Sequence, residues 1–325
     1  MKVAVTGGNG LVGANLVRLL VDKGYKVKAL VHHNANALKG PDIEILKGDI
    51  LDEKILTRLF TGVDVVFHAA AIISIGGFSY KTIYKANVEG TRQVFYAAKK
   101  SGVKTLVHFS SIDALQPPEN DKWFSEACIP ATRSVSYYKK TKALAQRWLQ
   151  QQKGNGMKVV VLNPTAIFGP YDFKPSFIGE FMIKVMHKKL PAIVNGGYNW
   201  VDVRDVAIAA VSADEKGKDG ENYLVPGHWA SLKEMILIIE NITNRKLMPP
   251  QVPYWLATTG LPFLRAWALF TQSRPLYTAQ SLSIIKNSSK NISYEKARKV
   301  LNYRPRPFKQ TVFDTLAWME NNYVE

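Results

Sequence analysis

A tyrosine and a lysine four residues apart form the most chemically suggestive pair in this sequence of 325 residues. Tyr138 and Lys142 stand at i and i+4, which places them on one face of a helix. A free phenol has a pKa of about 10, and an ammonium within ~4–6 Å lowers that pKa by ~1–3 units because it favours the phenolate. The pair is therefore predicted to act as a general acid and base. Tyr137 has Thr141 four residues later and lacks such a partner.

Two serines follow a predicted strand at a point where a hydroxyl can hold a reacting oxygen. Ser110 and Ser111 come directly after the apolar run Leu106–Phe109, and either is a candidate on spacing alone. A tyrosine–lysine spacing or a pair of serines is common by chance, but the two together, after a glycine turn, are specific. The neighbouring Lys139 and Lys140 point away from the catalytic face and are expected to be solvated.

A glycine-rich turn connects the first predicted strand to the first predicted helix. The segment 6–13 reads TGGNGLVG and follows the apolar run Val3–Val5. Glycines let the backbone approach a pyrophosphate, which the positive end of the helix stabilises. The turn therefore predicts dinucleotide binding. The candidate contacts are Gly7, Asn9, Gly10, Leu11, Val12 and Gly13.

The end of the second predicted strand bears on the choice between NAD and NADP. An NAD site usually has Asp or Glu about 20 residues beyond the glycine turn, bonded to the ribose 2′-hydroxyl. Val31 stands there instead, and no acid is expected nearby to repel a 2′-phosphate. His32 and Lys39 are candidate partners of a 2′-phosphate, so the pattern favours NADP, with NAD as the alternative. Asp49 and Ile50 are placed to contact the adenine, although Asp49 equally fits a helix cap.

Short apolar runs alternate with helical patterns through the first half of the chain, as in parallel strands buried on both faces. The predicted strands are Val3–Val5, Val27–Val31, Ile43–Leu46, Val63–Phe67, Leu106–Phe109 and Val159–Leu162. The predicted helices lie near 11–22, 52–60, 82–101, 136–151, 175–188, 204–213, 231–242, 294–301 and 308–321.

This order predicts an α/β fold, a doubly wound parallel Rossmann sheet with a smaller C-terminal α/β substrate domain. Residues 1–165 are assigned to the NAD(P)-binding domain, with a return element near 195–228, and residues 166–325 mainly to the substrate domain. The second half is expected to lie over the carboxyl ends of the strands, where ligands of such sheets bind.

The motifs, taken in order, resemble those of the extended short-chain dehydrogenases/reductases of the NAD-dependent epimerase/dehydratase type across nearly the whole chain. The matching segments are TGGNGLVG at 6–13, GDI at 48–50, FHAAA at 67–71, NVEGT at 87–91, FSS at 109–111, YKKTK at 138–142, NPTAIFGP at 163–170 and VDVRDVA at 201–207. The chain is most similar to the dihydroflavonol-reductase-like branch, which includes bacterial proteins described as hopanoid-associated sugar epimerases. The 3β-hydroxysteroid dehydrogenases share much of the pattern.

The resemblance implies a catalytic set and a cofactor wall. The catalytic residues are Ser111, Tyr138, Lys142 and Asn87, the last assisting a proton relay. The cofactor wall is formed by Ala69, Ala70, Ala71, Pro164 and Ile167. Basic residues at the positions of His32 and Lys39 hold the 2′-phosphate in the reductase branch, although this chain has histidine where arginine is usual. Relatives often dimerise through the helices near 82–101 and 136–151, so a homodimer is expected.

Three functions stay open. The leading prediction is an NADP(H)-dependent oxidoreductase that interconverts a carbonyl and a secondary alcohol on a small apolar or polycyclic substrate, with Tyr138 exchanging the proton and Ser111 holding the oxygen. A nucleotide-sugar epimerase or dehydratase that uses bound NAD is second, because Val31 replaces the acid of an NAD site. A regulator that senses NADP(H) without turnover is third, since it has no need of the catalytic residues.

The charge of the chain suggests an anionic partner. The formal net charge is +17, and residues 251–309 hold ten Lys or Arg against one acid, Glu295. Such a field attracts anions, but no nucleic-acid-binding motif accompanies it, so nucleic acid is not expected. Within the segment, apolar residues recur at helical spacing: Leu261, Leu264, Trp267 and Phe270. The segment is either an amphipathic helix packed on the substrate domain or a lid in contact with an anionic membrane.

The remaining features of the sequence argue against a disulfide, a metal site and secretion. The single cysteine, Cys128, rules out an intrachain disulfide, and the six histidines show no metal-ligand spacing, so no metal is expected. His68 and His108 are expected in the core or the cofactor wall. The motif residues Asp202, Arg204 and Asp205 fit either an ion-pair role or substrate contact. The first residues read as a strand and not as a secretory signal, so the cytoplasm is the expected compartment.

Overall fold

A seven-stranded parallel sheet is the centre of the computed structural model, which describes residues 1–73, 78–119, 122–262 and 277–323. Its strands are β1 (Lys2–Thr6), β2 (Lys26–Val31), β3 (Glu44–Lys47), β4 (Val65–His68), β5 (Thr105–Phe109), β6 (Lys158–Pro164) and β10 (Asn222–Val225). The strand order is β10-β6-β5-β4-β1-β2-β3. The direction of winding reverses between β1 and β4, and ligands of doubly wound sheets bind at that point, outside the carboxyl ends of the strands.

Helices cover both faces of this sheet, which explains why its strands are apolar on both sides. The helices are α1 (Leu11–Asp22), α2 (Glu53–Phe60), α3 (Tyr80–Tyr84), α4 (Gly90–Lys100), α5 (Tyr137–Gln150) and α7 (Val203–Lys216). Buried side chains of α1 and α7 pack on one face, and those of α2, α4 and α5 pack on the other. The single helix expected near 82–101 is in fact α3 and α4, joined by a π-helical turn at Lys85–Glu89.

The second half of the chain builds a smaller unit with its own core. It contains β7 (Ala166–Phe168), β8 (Ile193–Val194), β9 (Gly197–Asp202), β11 (His228–Ser231) and β12 (Gln251–Val252). Its helices are α6 (Phe177–Met186), α8 (Leu232–Thr243), α9 (Tyr254–Thr259), α10 (Ala279–Asn287), α11 (Glu295–Leu301) and α12 (Phe308–Tyr323). The strands β11, β9 and β7 form a three-stranded sheet. Trp200 of β9 is buried between Phe168 and Phe308, and this aromatic cluster joins β7 to α12.

An ion-pair network ties the C-terminal helix to the start of α7. The Arg204 guanidinium contacts Asp202 at 2.7 Å and Asp314 of α12 at 2.6 Å. Arg306 contacts Asp205 at 2.8 Å. Asp202 also accepts the backbone N–H of Arg204, which caps α7. Of the two roles open for the motif acids from sequence, the structure shows the ion-pair role.

The basic segment 251–309 is only partly within the described residues. Leu264, Trp267 and Phe270 lie outside them, so the expected amphipathic face there stays a prediction. Of the flanking aromatics, Trp255 on α9 is exposed whereas Tyr277 is buried in the core of the second unit. Across the described residues, every helix is too short or too polar to cross a lipid bilayer.

Candidate active site

The glycine turn between β1 and α1 is packed so closely that side chains are excluded. Gly7 has a φ of +72°, and a Cβ there would lie 2.7 Å from the backbone nitrogen of Ala70. A Cβ at Gly13 would collide with the carbonyl oxygen of Gly7. Gly10 precedes α1 and brings no side-chain acceptor, so the first amides of the helix are left for an anion. These features fit the pyrophosphate of a dinucleotide.

The loop after β2 is held by two side chains of the turn and first helix. Asn9 accepts the backbone N–H of Ala37 at 2.9 Å. Arg18 donates to the carbonyl oxygen of Ala37 at 2.8 Å, while its guanidinium lies 4.4 Å from the ring centre of Tyr171. This anchoring places the candidate 2′-phosphate residues beside the turn. Neither Asn9 in this structural role nor Arg18 was anticipated from the sequence.

The candidate 2′-phosphate site contains an acid that sequence spacing did not reveal. Nδ1 of His32 and Nε2 of His33 are 2.7 Å apart, so the two imidazoles share a hydrogen bond. Nε2 of His32 is 3.6 Å from a carboxylate oxygen of Asp49. The expectation that no acid lies near this position is therefore wrong. Strand β3 pairs with β2, so Asp49, which follows β3, lies beside His32, which follows β2. Asp49 also accepts the backbone N–H of Leu51 at 2.9 Å in the turn before α2, but Asp52 caps that helix, so the capping alternative for Asp49 is wrong.

The predicted catalytic side chains come together at the carboxyl ends of β5 and β6. The Ser111 hydroxyl lies near enough to the Tyr138 phenol to lower its pKa. The Ser111 oxygen accepts the backbone N–H of Asp113 at 3.1 Å, which fixes the orientation of the serine. Lys142, one turn after the tyrosine, is buried and donates to the carbonyl oxygen of Phe109 at 2.7 Å. The structure thus brings together the three residues chosen from the motif.

The electrostatics of this cluster are set by burial. Burial lowers the pKa of Lys142 to about 8. Burial also raises the pKa of Tyr138 above its usual value, and the Asp113 carboxylate adds to this, while the Ser111 hydroxyl opposes it. The lowering of the Tyr138 pKa expected from the Tyr138–Lys142 spacing is therefore wrong, because desolvation of the phenolate dominates.

Asp113 is a site residue that the sequence did not single out. Its carboxylate is 2.8 Å from the Lys139 ammonium, and both side chains are about a quarter exposed. Lys139 is therefore paired and not freely solvated as expected. Asp113 acts on the phenols of both Tyr138 and Tyr198, raising the pKa of each. Asp113 is thus close enough to act both on Tyr138 and on a tyrosine of β9 in the smaller unit.

A buried polar network links the catalytic helix to the strand ends. The Oε1 atom of Gln146 accepts from the Ser110 hydroxyl at 2.6 Å and from the Asn163 amide at 2.7 Å. The Asn163 amide also donates to the carbonyl oxygen of Ser111 at 2.7 Å. The network fixes α5 relative to β5 and β6. Ser110, the other serine candidate, is thus a positioning residue, since its hydroxyl is turned toward Gln146.

Asn87 occupies the π-helical turn, a feature that often marks functional sites. Its amide accepts the N–H of Ile72 at 2.8 Å and donates to the Ile72 carbonyl at 3.1 Å. It also contacts the Thr141 hydroxyl at 3.3 Å, while Thr91 donates to the Asn87 carbonyl at 2.7 Å. Asn87 therefore joins the segment after β4 to α5.

The cofactor-wall residues lie at the same edge of the sheet. The segment Ala69–Ala71 follows β4, with Ala70 against Gly7, while Pro164 ends β6 and Ile167 lies in β7. Below them, His68 is bonded to the Thr6 hydroxyl at 2.7 Å and is fully buried, which lowers its pKa to about 3.

An apolar pocket lies within the smaller unit formed by the second half of the chain. Its aromatic and aliphatic lining includes Phe177, Phe181, Tyr198, Trp200, Tyr277 and Ile285. Among the described lining residues none is basic, and the one charged side chain is the acid Glu180. Such a lining suits an apolar molecule and repels a diphosphate.

Known proteins resemble this chain along nearly its whole length. The family model described as the NAD dependent epimerase/dehydratase family matches residues 3–225. Sterol demethylase protein B of Methylococcus capsulatus is 31% identical over 98% of both chains. A 4-hydroxy-2-methyl-3-oxo-4-farnesyl-3,4-dihydroquinoline-1-oxide ketoreductase of Stigmatella aurantiaca is 28% identical over 97% of this chain and 96% of its own. The solved structure named gox2253 has a TM-score of 0.84 at 28% identity, with 99% of both chains covered.

Proposed function

The chain belongs to the NAD-dependent epimerase/dehydratase family of enzymes, and from that premise we propose that it is an NADP(H)-dependent oxidoreductase interconverting a carbonyl and a secondary alcohol on an apolar substrate. The observation that carries this proposal is the convergence of Tyr138, Ser111 and the buried Lys142 at the carboxyl end of β5. A phenol, a hydroxyl and a cation at one strand end support a proton donor, an oxygen-binding group and a charge that tunes them.

The residues have separable tasks in carbonyl reduction. A bound nicotinamide cofactor supplies the hydride that reaches the carbonyl carbon. Tyr138 donates its phenolic proton to the carbonyl oxygen, and Ser111 holds that oxygen by hydrogen bonding. Lys142 stabilises the phenolate that remains until a proton returns from solvent. In alcohol oxidation the same groups act in reverse, and the phenolate removes the hydroxyl proton.

Two lines of support favour an apolar substrate over a nucleotide sugar. The pocket lined by Phe177, Phe181 and Tyr277 offers no cation among its described residues for a diphosphate. Two of the relatives in sequence, from Methylococcus capsulatus and Stigmatella aurantiaca, carry names that refer to a sterol and to a farnesyl ketone. A purely sensing role is disfavoured because it requires none of the three catalytic side chains.

A substrate screen tests the proposal. The purified protein is mixed with NADPH or NADP⁺ and a panel of apolar ketones, steroids, aldehydes and UDP-sugars, and nicotinamide absorbance is followed. The proposal requires turnover of at least one apolar carbonyl or alcohol. Net conversion of a UDP-sugar without change in nicotinamide absorbance, together with inert ketones and steroids, would assign the epimerase function instead.

A further inference from the structure

Four exposed apolar side chains lie on the segments that precede α3 and begin α5, close in sequence to Ala71 and Tyr138: Ile73, Phe78, Val135 and Tyr137. Val135 is 97% exposed, although it lies only three residues before the catalytic Tyr138. Single exposed apolar residues are ordinary, but a group of them beside a binding site marks a contact surface. We call these four residues, with Lys81, Lys85, Arg133 and Lys140, the rim face.

Contacts around Tyr80 join the two chain segments that carry the rim face. The ring of Tyr80, at the start of α3, lies 5.3 Å from the ring of Tyr137 at the start of α5. It also lies 5.7 Å from the ring of Tyr84. The Lys140 ammonium lies 5.4 Å from the Tyr80 ring centre. The first turns of both helices thus meet at the carboxyl edge of the sheet.

The charge on this surface is of one sign. Lys81, Lys85 and Arg133 are exposed, and the segments 65–88 and 127–171 contain neither Asp nor Glu. Of the acids on adjoining segments, Asp113 is paired with Lys139 at 2.8 Å, and Glu89 follows one turn after Lys85 on the same helix. Apolar side chains flanked by cations are the composition of an interfacial membrane surface.

We propose that the rim face docks the enzyme on the surface of an anionic lipid bilayer. The apolar side chains enter the headgroup boundary while the cations contact lipid phosphates. An isologous contact of the rim face with a second copy would set Lys81, Lys85 and Arg133 against the same cations. Charge therefore disfavours a second copy on this face and leaves α4 and the later turns of α5, around Tyr96 and Trp148, for the homodimer that the family resemblance implies. The consequence for substrate rests on the proposed function: an apolar substrate would pass from the lipid to Tyr138 without crossing water.

Vesicle flotation without substrate or cofactor tests the docking alone, so its outcome is independent of the proposed function. The protein is floated with vesicles of phosphatidylcholine, or of phosphatidylcholine mixed with phosphatidylglycerol, at low and high salt. Strong binding to the anionic vesicles at low salt is expected, weakening at high salt. Each cation near such a surface contributes about fivefold to binding, so the double variant Lys81→Glu/Lys85→Glu should lose at least ~25-fold.

Two further variants distinguish docking through the rim face from an effect of net charge. Phe78→Ser should weaken binding to anionic vesicles at both salt concentrations, because insertion of an apolar side chain is not screened by salt. The matched control Lys23→Glu/Lys26→Glu makes the same charge change at the amino edge of the sheet, and it should retain most of the binding. Thermal melting of each variant checks that it is folded.

Three outcomes would overturn the proposal. Absence of binding to anionic vesicles at low salt is the first. Equal loss in the rim and control variants is the second, because it would assign binding to net charge alone. The third is a wild-type dimer that becomes monomeric in light scattering when Lys81 and Lys85 are replaced, because it would assign this face to a second copy.

Discussion

The Lys142 ammonium donates a 2.7 Å hydrogen bond to the carbonyl oxygen of Phe109, the last residue of β5. Ser111 lies two residues further on, so this bond fixes the cation of the catalytic helix to the strand end that presents the serine. Burial of the ammonium opposes its charge and lowers the pKa of Lys142 to about 8. The site therefore holds a charge that disfavours folding.

Removal of this charge should stabilise the protein and inactivate it. The folded-state pKa of Lys142 is below its ordinary value of 10.5, so the folded chain binds this proton less tightly than the unfolded chain does. The contribution of Lys142 to the free energy of unfolding is therefore least favourable below about pH 8 and rises with pH toward 10.5. At neutral pH, Lys142→Met should raise the free energy of unfolding by ~1–3 kcal/mol and abolish turnover. Urea unfolding and an activity assay measure the two effects; a less stable variant would contradict the account.

Gln146→Leu should reduce both stability and turnover. The substitution removes the acceptor of the Ser110 hydroxyl and the Asn163 amide, which leaves buried donors without it. A loss of ~1–3 kcal/mol in the free energy of unfolding is expected, with a fall in kcat larger than any change in KM. Gln150→Leu, one turn later, is the control, since its contacts are 3.4 Å long and only partly buried. Unchanged kcat in Gln146→Leu would show that the network does not position Ser111.

NADP(H) should bind more tightly than NAD(H). The hydrogen-bonded pair His32–His33 offers imidazole N–H donors beside the predicted 2′-phosphate site. Asp49 is 3.6 Å from His32, so Asp49→Asn should tighten NADP(H) binding by removing a negative charge. Calorimetry of the wild type and of Asp49→Asn with both cofactors measures this. Equal affinities, or tighter binding of NAD(H), would refute the NADP preference.

A homodimer through α4 and α5 is expected, as the family resemblance implies. Tyr96 on α4 is 56% exposed, and its ring lies 5.6 Å from that of Trp148 on α5. Tyr96→Glu should place a charge in that contact and give a monomer in light scattering. Phe313→Glu on α12 is the control, because Phe313 is similarly exposed elsewhere. A monomeric mass for the wild-type chain at all concentrations would exclude the dimer.

The sheet and its helices could be predicted because their signals are local. Adjacent residues alone predict strands at Val27–Val31 and Val159–Leu162 and a turn at the glycines. The structure confirms the doubly wound fold. The same holds for Tyr138 and Lys142, whose spacing on one helix is a property of the sequence.

Contacts between distant segments could not be predicted. Gln146 meets Asn163 only because α5 packs beside β6, and Asp49 reaches His32 only because β3 pairs with β2. The direction of the Tyr138 pKa shift depends on burial by the whole fold. The π-helical turn around Asn87 interrupts a helix that periodicity predicts as continuous.

The central claim is that Tyr138 exchanges the proton of the reacting oxygen, and Tyr138→Phe tests it most directly. The variant and the neighbouring control Tyr137→Phe are assayed with NADP(H) on the best substrate of the screen, and cofactor affinity is measured by calorimetry. Loss of the proton donor should lower kcat by ~10²–10⁴-fold with nearly unchanged cofactor affinity, whereas Tyr137→Phe should keep most of the activity. Near-normal turnover by Tyr138→Phe would contradict the account.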